Sequence, residues 1–395
     1  VCLKKDFGLY IHTPFCLQRC HYCDFATFTL EEASTNIDDY INYLCIEIKK
    51  GSEFIENKKL RSIYFGGGTP SLLELAHFEK IFKELSQNGF SRDPQTEVTL
   101  EINPATLDEV KIRALKQLGV NRYSVGAQTF NAKHLKNLNR KHSAKDTIDT
   151  LSLLSELDCN YSFDLLFALP NQSCEELKED LTYLNKFNPS HISPYYLTLP
   201  TNHFLNINRP QEEDEIKMFG IIYDELLDKG YSQYEISNFS KPQKESKHNL
   251  IYWTDQDYWG VGLSSHSYLS RENNFGVRFS NPKTFQSYYD WVSSWQPKDS
   301  LINDRRVENF EILNQAQSLT DYCHTFLRMK QGIAFDQLVD KFGPQRAGQV
   351  WQIAESISQS GWVVLTPDRL FLSKKGQMLS NQVFLNFTFI NKFIR

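Results

Sequence analysis

Short apolar runs alternate with longer stretches of helical periodicity over the first half of the chain. The runs are FGLYIH (7–12), SIYFGG (62–67), EVTLEIN (97–103), RYSVGAQ (122–128), SFDLLFAL (162–169) and HISPYYLTL (191–199). Their length and composition predict strands. The spans between them, 36–58, 72–88, 106–118, 143–157, 174–187 and 211–229, predict helices. Asn36 followed by Ile-Asp-Asp is a helix start, and Leu118-Gly119 and Lys229-Gly230 are helix stops. Six strand–helix units in alternation imply a parallel sheet with right-handed crossovers. No dinucleotide-binding glycine fingerprint follows the first strand. The predicted fold over residues 1–230 is therefore α/β, an open or partial (β/α)6 barrel.

Residues 231–299 lack a clean period. YEISNFSKPQKESKHNLIYWTDQDYWGVGLSSHSYL is rich in turn formers and aromatics and predicts an irregular connecting segment. After Pro297 helical patterning returns. FDQLVDKFG and GQVWQIAESISQSGW read as two short helices, and WVVLTPDRLFLS as a hairpin around Pro367-Asp368. Residues 300–395 thus predict a small, mainly helical, winged-helix-like domain. Its charges are mixed, which favours a packing or partner role over DNA binding.

Composition narrows the function. With 41% apolar and 23% charged residues in 395, the chain is neither disordered nor fibrous. A net charge of −5 excludes a globally basic nucleic-acid binder, and no nucleic-acid partner is expected. No run approaches the roughly 18 apolar residues that span a bilayer, and the first residues carry no signal-peptide core, so a cytoplasmic location is expected. Aromatics (28 Phe, 19 Tyr) suit the walls of a large flat ligand and equally a Phe-rich core. Of eight cysteines, Cys2, Cys45, Cys159, Cys174 and Cys323 stand singly and read as small core residues, since a reducing compartment disfavours disulfides. Cys16, Cys20 and Cys23 are instead packed into PFCLQRCHYCDF.

Thiolates select zinc, copper(I) or iron–sulfur clusters. Structural zinc usually takes four protein ligands in two separated pairs. One compact CxxxCxxC without a second pair suits three irons of a [4Fe–4S] cube and leaves the fourth without a cysteine. Zinc stays open as the alternative. In β/α barrels chemistry gathers at the C-terminal ends of the strands. Here the cysteine loop follows strand one and Gly66-Gly67-Gly68-Thr69-Pro70 ends strand two. Glu101 and Asn103-Pro104 end strand three, and Gln128 ends strand four. Asp164 lies on strand five, and Ser193, Tyr195 and Tyr196 on strand six. A glycine triplet lets a backbone approach a ligand closely, strand-end carboxylates suit ribose hydroxyls, and Arg140 could pair a carboxylate. Each has an ordinary alternative as a tight turn, a helix cap or a solvated charge. Their gathering on one rim beside three thiols favours a site.

CxxxCxxC with Tyr22 before its last cysteine resembles the radical S-adenosylmethionine (SAM) enzymes. YIHTPFC, FGGGTPS, EINP, YSVGAQTF, LNRKH, DLLFALPNQ and HISPYYLT, in that order, are similar to the oxygen-independent coproporphyrinogen III oxidase group from Tyr10 to the C-terminus. The resemblance implies a radical-SAM barrel in which Cys16, Cys20 and Cys23 hold a [4Fe–4S] cluster. SAM would chelate the open iron. Gly66, Gly67, Gly68 and Thr69 would meet its amino end, Glu101 and Asp164 its ribose, and Gln128 and Arg140 its polar end. Tyr10 and Tyr22 would pack near cluster and adenosine.

Two branches of that group differ. The oxidases carry Gly-Cys after the third cysteine, where Asp24-Phe25 stands here, and an N-terminal extension, where nine residues precede Tyr10. Both departures resemble the HemW-type haem chaperone branch. So does SKHNLIYW, in which His248, Asn249, Tyr252 and Trp253 match an HNxxYW haem motif, with His266 a second candidate ligand. The resemblance implies three partners: haem, an acceptor haemoprotein (membrane-associated acceptors included) and an electron donor for the cluster. The alternative is an oxygen-independent coproporphyrinogen III oxidase. Within the branch, Asn139 stands where glycine is common, Thr13 replaces an aliphatic residue, and Leu263-Ser264-Ser265 replaces smaller residues.

Overall fold

The structure, a computed structural model, describes residues 6–271, 274–295 and 310–389. Cys2, Pro297 and the predicted boundary at 299/300 lie outside the described residues. Six strands stand where the alternation put them: β1 (Phe7–Thr13), β2 (Ser62–Gly67), β3 (Glu97–Ile102), β4 (Arg122–Gln128), β5 (Tyr161–Phe167) and β6 (His191–Tyr196). Each pairs in parallel with the next. Helices α1 (Ile37–Gly51), α2 (Leu75–Gln87) and α3 (Glu109–Gln117) follow the first three strands. A short α4 (Ala132–Asn137), absent from the pattern, and α5 (Ala144–Glu156) follow β4, and α6 (Cys174–Phe187) and α7 (Glu212–Asp228) complete the series. The start and stop signals act as read. Asn36 accepts from the Asp39 N–H, and α3 and α7 end at Leu118 and Lys229.

Residues alternate between two faces along each strand. Leu9, Ile11, Ile63, Phe65, Val98, Leu100 and Phe163 are fully or almost fully buried, and Phe65 meets Phe78 and Phe82 of α2 edge-on. The other set is polar and contacts itself across strands. Tyr10 stacks on Tyr64, Tyr64 donates to Glu101, and the Ser124 hydroxyl donates to Asp164. The barrel is thus lined by hydrogen-bonded polar side chains, the condition under which burying them is tolerable.

The described residues from 231 to 295 carry regular elements where the pattern predicts none. They form β7 (Ser232–Glu235), β8 (Asn238–Ser240), α8 (Lys247–Trp253), β9 (Asp257–Val261), β10 (His266–Arg271), β11 (Asn274–Ser280) and α9 (Phe285–Ser294). β9 pairs in parallel with β1, so the parallel run has seven strands. With β12 (Glu311–Ile312), the sheet order is β12-β11-β10-β9-β1-β2-β3-β4-β5-β6-β8-β7, its outer strands antiparallel. These strands are short, and Gly260 and Gly262 blur the alternation around buried Trp259 and Val261.

One apolar core takes in residues from Phe7 to Trp295 and a second those from Leu319 to Phe387. Around the second lie α10 (Gln315–Arg328), α11 (Phe335–Phe342) and α12 (Pro344–Ser358), followed by an antiparallel hairpin of Val363–Leu365 and Arg369–Leu372. Helix pair and hairpin fall where the pattern put them. Arg328 joins this region to the barrel through Glu235 (3.3 Å) and the Trp253 ring (4.5 Å). No described helix is long and apolar enough to cross a membrane.

Candidate functional site

β1 runs into the cysteine loop at the C-terminal end of the sheet. Residues 15–16 pair with 28–29, which anchors Cys16 and closes a loop carrying Cys20 and Cys23. The loop lies against the segment after α4. The His21 N–H donates to Leu138 O (3.1 Å), and Asn139 Nδ2 donates to Arg19 O (2.8 Å). Asn139 has φ +59°, the left-handed region where glycine is favoured and asparagine tolerated, so asparagine here keeps the turn and adds a tether. On the other side, the Gly68 N–H donates to Thr13 O and the Thr69 N–H to Phe15 O, both at 2.7 Å. A Cβ on Gly68 would stand 2.9 Å from Cys16 Sγ, so the glycine turn is packed directly against that thiol.

The three thiols are near enough that Cys23 and Cys20 add to the burial that pushes Cys16 up to about 11. Free Cys16 is therefore protonated at neutral pH, and a metal centre would take it as thiolate with release of a proton. Among the described residues no three His, Cys, Asp or Glu side chains are grouped to hold a single metal ion. Sulfurs on separate corners of an iron–sulfur cube stand wider apart than ligands of one ion. Two thiols are linked by one hydrogen-bond chain. Arg140 Nη1 donates to Cys20 Sγ (3.3 Å), and its Nη2 donates to Asn103 Oδ1 and Gly126 O (both 2.7 Å). Asn103 Nδ2 donates to Thr69 Oγ1 (2.7 Å), which donates to Cys16 Sγ (3.8 Å). A cavity of about 250 Å³ opens beside Cys20, Asn103 and Arg140.

Glu101 accepts from the Tyr64 hydroxyl (2.7 Å) and the Gly67 N–H (3.1 Å). Burial, and after it the Asp164 charge, raise its pKa to about 7 against those two donors. Asp164 is raised by burial to about 6, opposed by the Ser193 hydroxyl and Arg122. Gln128 ends β4 at φ +64°. Buried Asp180 of α6 holds the loop behind it, accepting from the Thr129 hydroxyl and the Phe130 N–H. Gln128 Nε2, Arg140 Nη2 and Asn103 Oδ1 all converge on Gly126. Cysteines, glycine turn, Glu101, Asp164, Gln128 and Arg140 thus share one rim.

Residues 10–184 match the Radical SAM superfamily. The chain is 33% identical to the heme chaperone HemW of Lactococcus lactis across 98% of both chains. It is 35% identical to HemW of a Buchnera aphidicola, covering 77% of this chain and 81% of that one. The chain belongs to the HemW family. As a radical SAM family it implies a [4Fe–4S] cluster and SAM as cofactors. The solved coproporphyrinogen III oxidase HemN of Escherichia coli, a radical SAM enzyme, shares the fold. It superposes with a TM-score of 0.81 at 20% identity, covering 98% of this chain and 90% of that one.

The HemW-type motif SKHNLIYW is less open than its sequence suggests. It forms α8, which is N-capped by the Ser246 hydroxyl and by Glu97. His248 is 1% exposed. Its Nδ1 bonds the Ser62 hydroxyl (2.7 Å), its Nε2 bonds the Tyr252 hydroxyl (2.8 Å), and its ring stacks on Tyr64. Both ring nitrogens are taken, and burial lowers its pKa to about 3. This differs from the sequence expectation of an available ligand. His266 is exposed at the start of β10, on the rim side, close enough to His12 to lower its pKa. Tyr10 lies on the rim side of the Tyr64–His248 stack. Tyr22 packs beside Leu138, Leu166 and Leu205, with Arg140 and Cys20 near its phenol.

Two site residues were missed as such. Asn103 was visible only as a strand-end polar residue, and its bridge depends on Thr69 and Arg140 from two other segments. His12 is the other. Ala26 O can only accept, so His12 Nε2 carries the proton (3.0 Å) and Nδ1 accepts from the Tyr10 hydroxyl (3.0 Å). Burial lowers its pKa to about 4, so the ring ties the cysteine loop to β1 as neutral imidazole. Gly67, at φ +109°, leaves room for it, since a Cβ there would stand 2.5 Å from the ring.

Proposed function

We propose that the chain is a haem chaperone that carries a [4Fe–4S] cluster on Cys16, Cys20 and Cys23, binds SAM at the open iron, and passes haem to an acceptor haemoprotein. End-to-end likeness to proteins named heme chaperones carries the reading. Asp24-Phe25, where the oxidases have Gly-Cys, argues the same way. The donor set supports the cofactors: three thiols on one loop, with no fourth in PFCLQRCHYCDF. Arg140 Nε is buried without a hydrogen-bond partner, and a ligand carboxylate would satisfy it.

In this reading Gly66 to Thr69 offer backbone to the methionyl amino end, while Gln128 and Arg140 orient the polar end. Glu101 and Asp164 accept ribose hydroxyls, and Tyr10 and Tyr22 exclude water from cluster and adenosine. When bound, cluster and SAM supply one-electron cleavage of a sulfonium; the protein supplies orientation and shielding. Haem is assigned to His266 or His248. The exposed imidazole of His266 favours the former, because ligation through His248 would first require its ring to release the Ser62 and Tyr252 hydroxyls. The reading places the protein in the cytoplasm, with an electron donor for the cluster.

The test is anaerobic reconstitution with iron and sulfide, then haem titration of wild type, His266→Ala and His248→Ala. Haem uptake by wild type that weakens in His266→Ala is the expected result. Protein that takes up no haem in any cluster state overturns the proposal. Vinyl product from coproporphyrinogen III with SAM and reductant would assign the oxidase activity instead.

A further inference from the structure

From Val110 to Lys145 the chain carries nine lysines and arginines and no Asp or Glu, although acids outnumber bases overall, 48 to 43. The fold brings the second half of this stretch to the cysteine loop. Lys133 and Lys136 are exposed one turn apart on α4, and Lys141 is exposed just beyond it. Arg19, exposed on the cysteine loop itself, is held there by Asn139, and His21 Nδ1 bonds Asn137 O. The nearest carboxylates are already engaged. Glu176 bonds His134 and Asn131, Asp146 caps Ser143, and Asp149 pairs with Lys145. Asp24, exposed, follows Cys23 farther along the loop. The cavity of about 250 Å³ is lined by exposed Leu17 and Lys141, by half-buried Gln18, Cys20 and Arg140, and by the Asp146 that caps Ser143.

We infer that the surface formed by Arg19, Lys133, Lys136 and Lys141 docks an acidic one-electron carrier protein, which reduces the cluster from the Cys20 side. The inference rests on the reading that Cys16, Cys20 and Cys23 hold a reducible cluster. Clustered cations steer an acidic partner to one patch and raise the encounter rate, while a chain of net negative charge repels it elsewhere. Half-buried Cys20 follows Arg19 in the chain and lines the same cavity as Lys141, so docking there brings the donor near the metal-bearing loop. The step is a single electron transfer. The carrier is oxidised by one electron and the cluster reduced by one, with no bond made and no proton moved.

The test uses the full chain, reconstituted anaerobically, and an acidic flavodoxin photoreduced in advance, with cluster bleaching followed by stopped flow. The variant is Lys133→Glu/Lys136→Glu/Lys141→Glu. The control is Lys330→Glu/Lys374→Glu/Lys375→Glu, which changes net charge equally on the C-terminal region. The docking variant is expected to lose about tenfold or more in the bimolecular rate at low salt. The loss should shrink as added salt shortens the screening length, and the control should keep the wild-type rate. Direct photoreduction by deazaflavin should proceed equally in all three proteins. A wild-type rate in the docking variant, an equal loss in the control, or salt-independent reduction overturns the docking surface while leaving the cluster intact. So does a docking variant that instead loses binding to RNA or anionic vesicles with reduction unchanged. A wild-type chain that retains no iron overturns the cluster reading and this inference with it.

Discussion

Replacing Gly68 by alanine should damage both fold and metal site, whereas the same change at Gly220 should help the fold. A Cβ on Gly68 would stand 2.5 Å from Phe15 O, 2.9 Å from Thr13 O and 2.9 Å from Cys16 Sγ. The two oxygens accept the Thr69 and Gly68 N–H groups at 2.7 Å, so relieving the clash means stretching the bonds that place the turn. Overpacking of this kind costs about 1–3 kcal/mol, and a weakened backbone bond adds about 1 kcal/mol. A loss of about 3 kcal/mol is expected. Gly220, in the interior of α7, would meet nothing within 4 Å. Alanine there should gain about 0.5–1 kcal/mol by restricting the unfolded chain and favouring helix. Urea titrations followed by circular dichroism, with iron content after reconstitution, read both effects. Gly68→Ala should lower the midpoint and the iron content; Gly220→Ala should raise the midpoint and keep the iron. A Gly68→Ala protein with wild-type midpoint and full iron would refute the reasoning that this turn is packed against the Cys16 thiol.

Glu47 accepts from the Gly262 N–H, Tyr288 and Asn281, and burial raises its pKa from 4.5 to about 7. The folded chain then keeps a proton the unfolded chain has lost, so this group's contribution falls as pH rises from about 4.5 to about 7. Glu47→Gln should lack that slope, and parallel stability curves for the two proteins across this range would contradict it. His248→Ala should cost about 3 kcal/mol through the cavity and two unpaired hydroxyls, and exposed His266→Ala within about 0.5 kcal/mol; equal melting temperatures would rule this out. Asn103→Leu cuts the link between Arg140 and Thr69. It should weaken SAM binding to the reconstituted protein about tenfold by calorimetry, or about 1.4 kcal/mol, and an unchanged Kd would remove Asn103 from the site.

The central barrel was legible because each of its strands is a run of buried residues closed by a turn or cap signal. The observed bounds of β2 and β4 coincide with the runs 62–67 and 122–128, and α6 with 174–187. β9 was not legible. It is five residues long, contains Gly260, and owes its place beside β1 to a partner some 250 residues earlier in sequence. The thiols and glycines were visible as a local cluster, and Glu101, Gln128 and Asp164 as polar residues near strand ends. Their bonding was not. The chain from Arg140 through Asn103 and Thr69 joins strand ends that only the sheet brings together. His248 shows the converse. HNLIYW reads as a loop of ligand and ring walls, yet its imidazole is a core residue whose two nitrogens are paired across 186 and 4 residues of sequence.

Electron paramagnetic resonance of the anaerobically reconstituted, reduced chain, with and without SAM, reads most directly whether an iron on this loop stands open. Wild type should bind about four irons and give a cluster signal that changes when SAM is added. Replacing Cys16, Cys20 or Cys23 by alanine should abolish it. A signal indifferent to SAM, or full iron in the cysteine variants, would contradict the assignment.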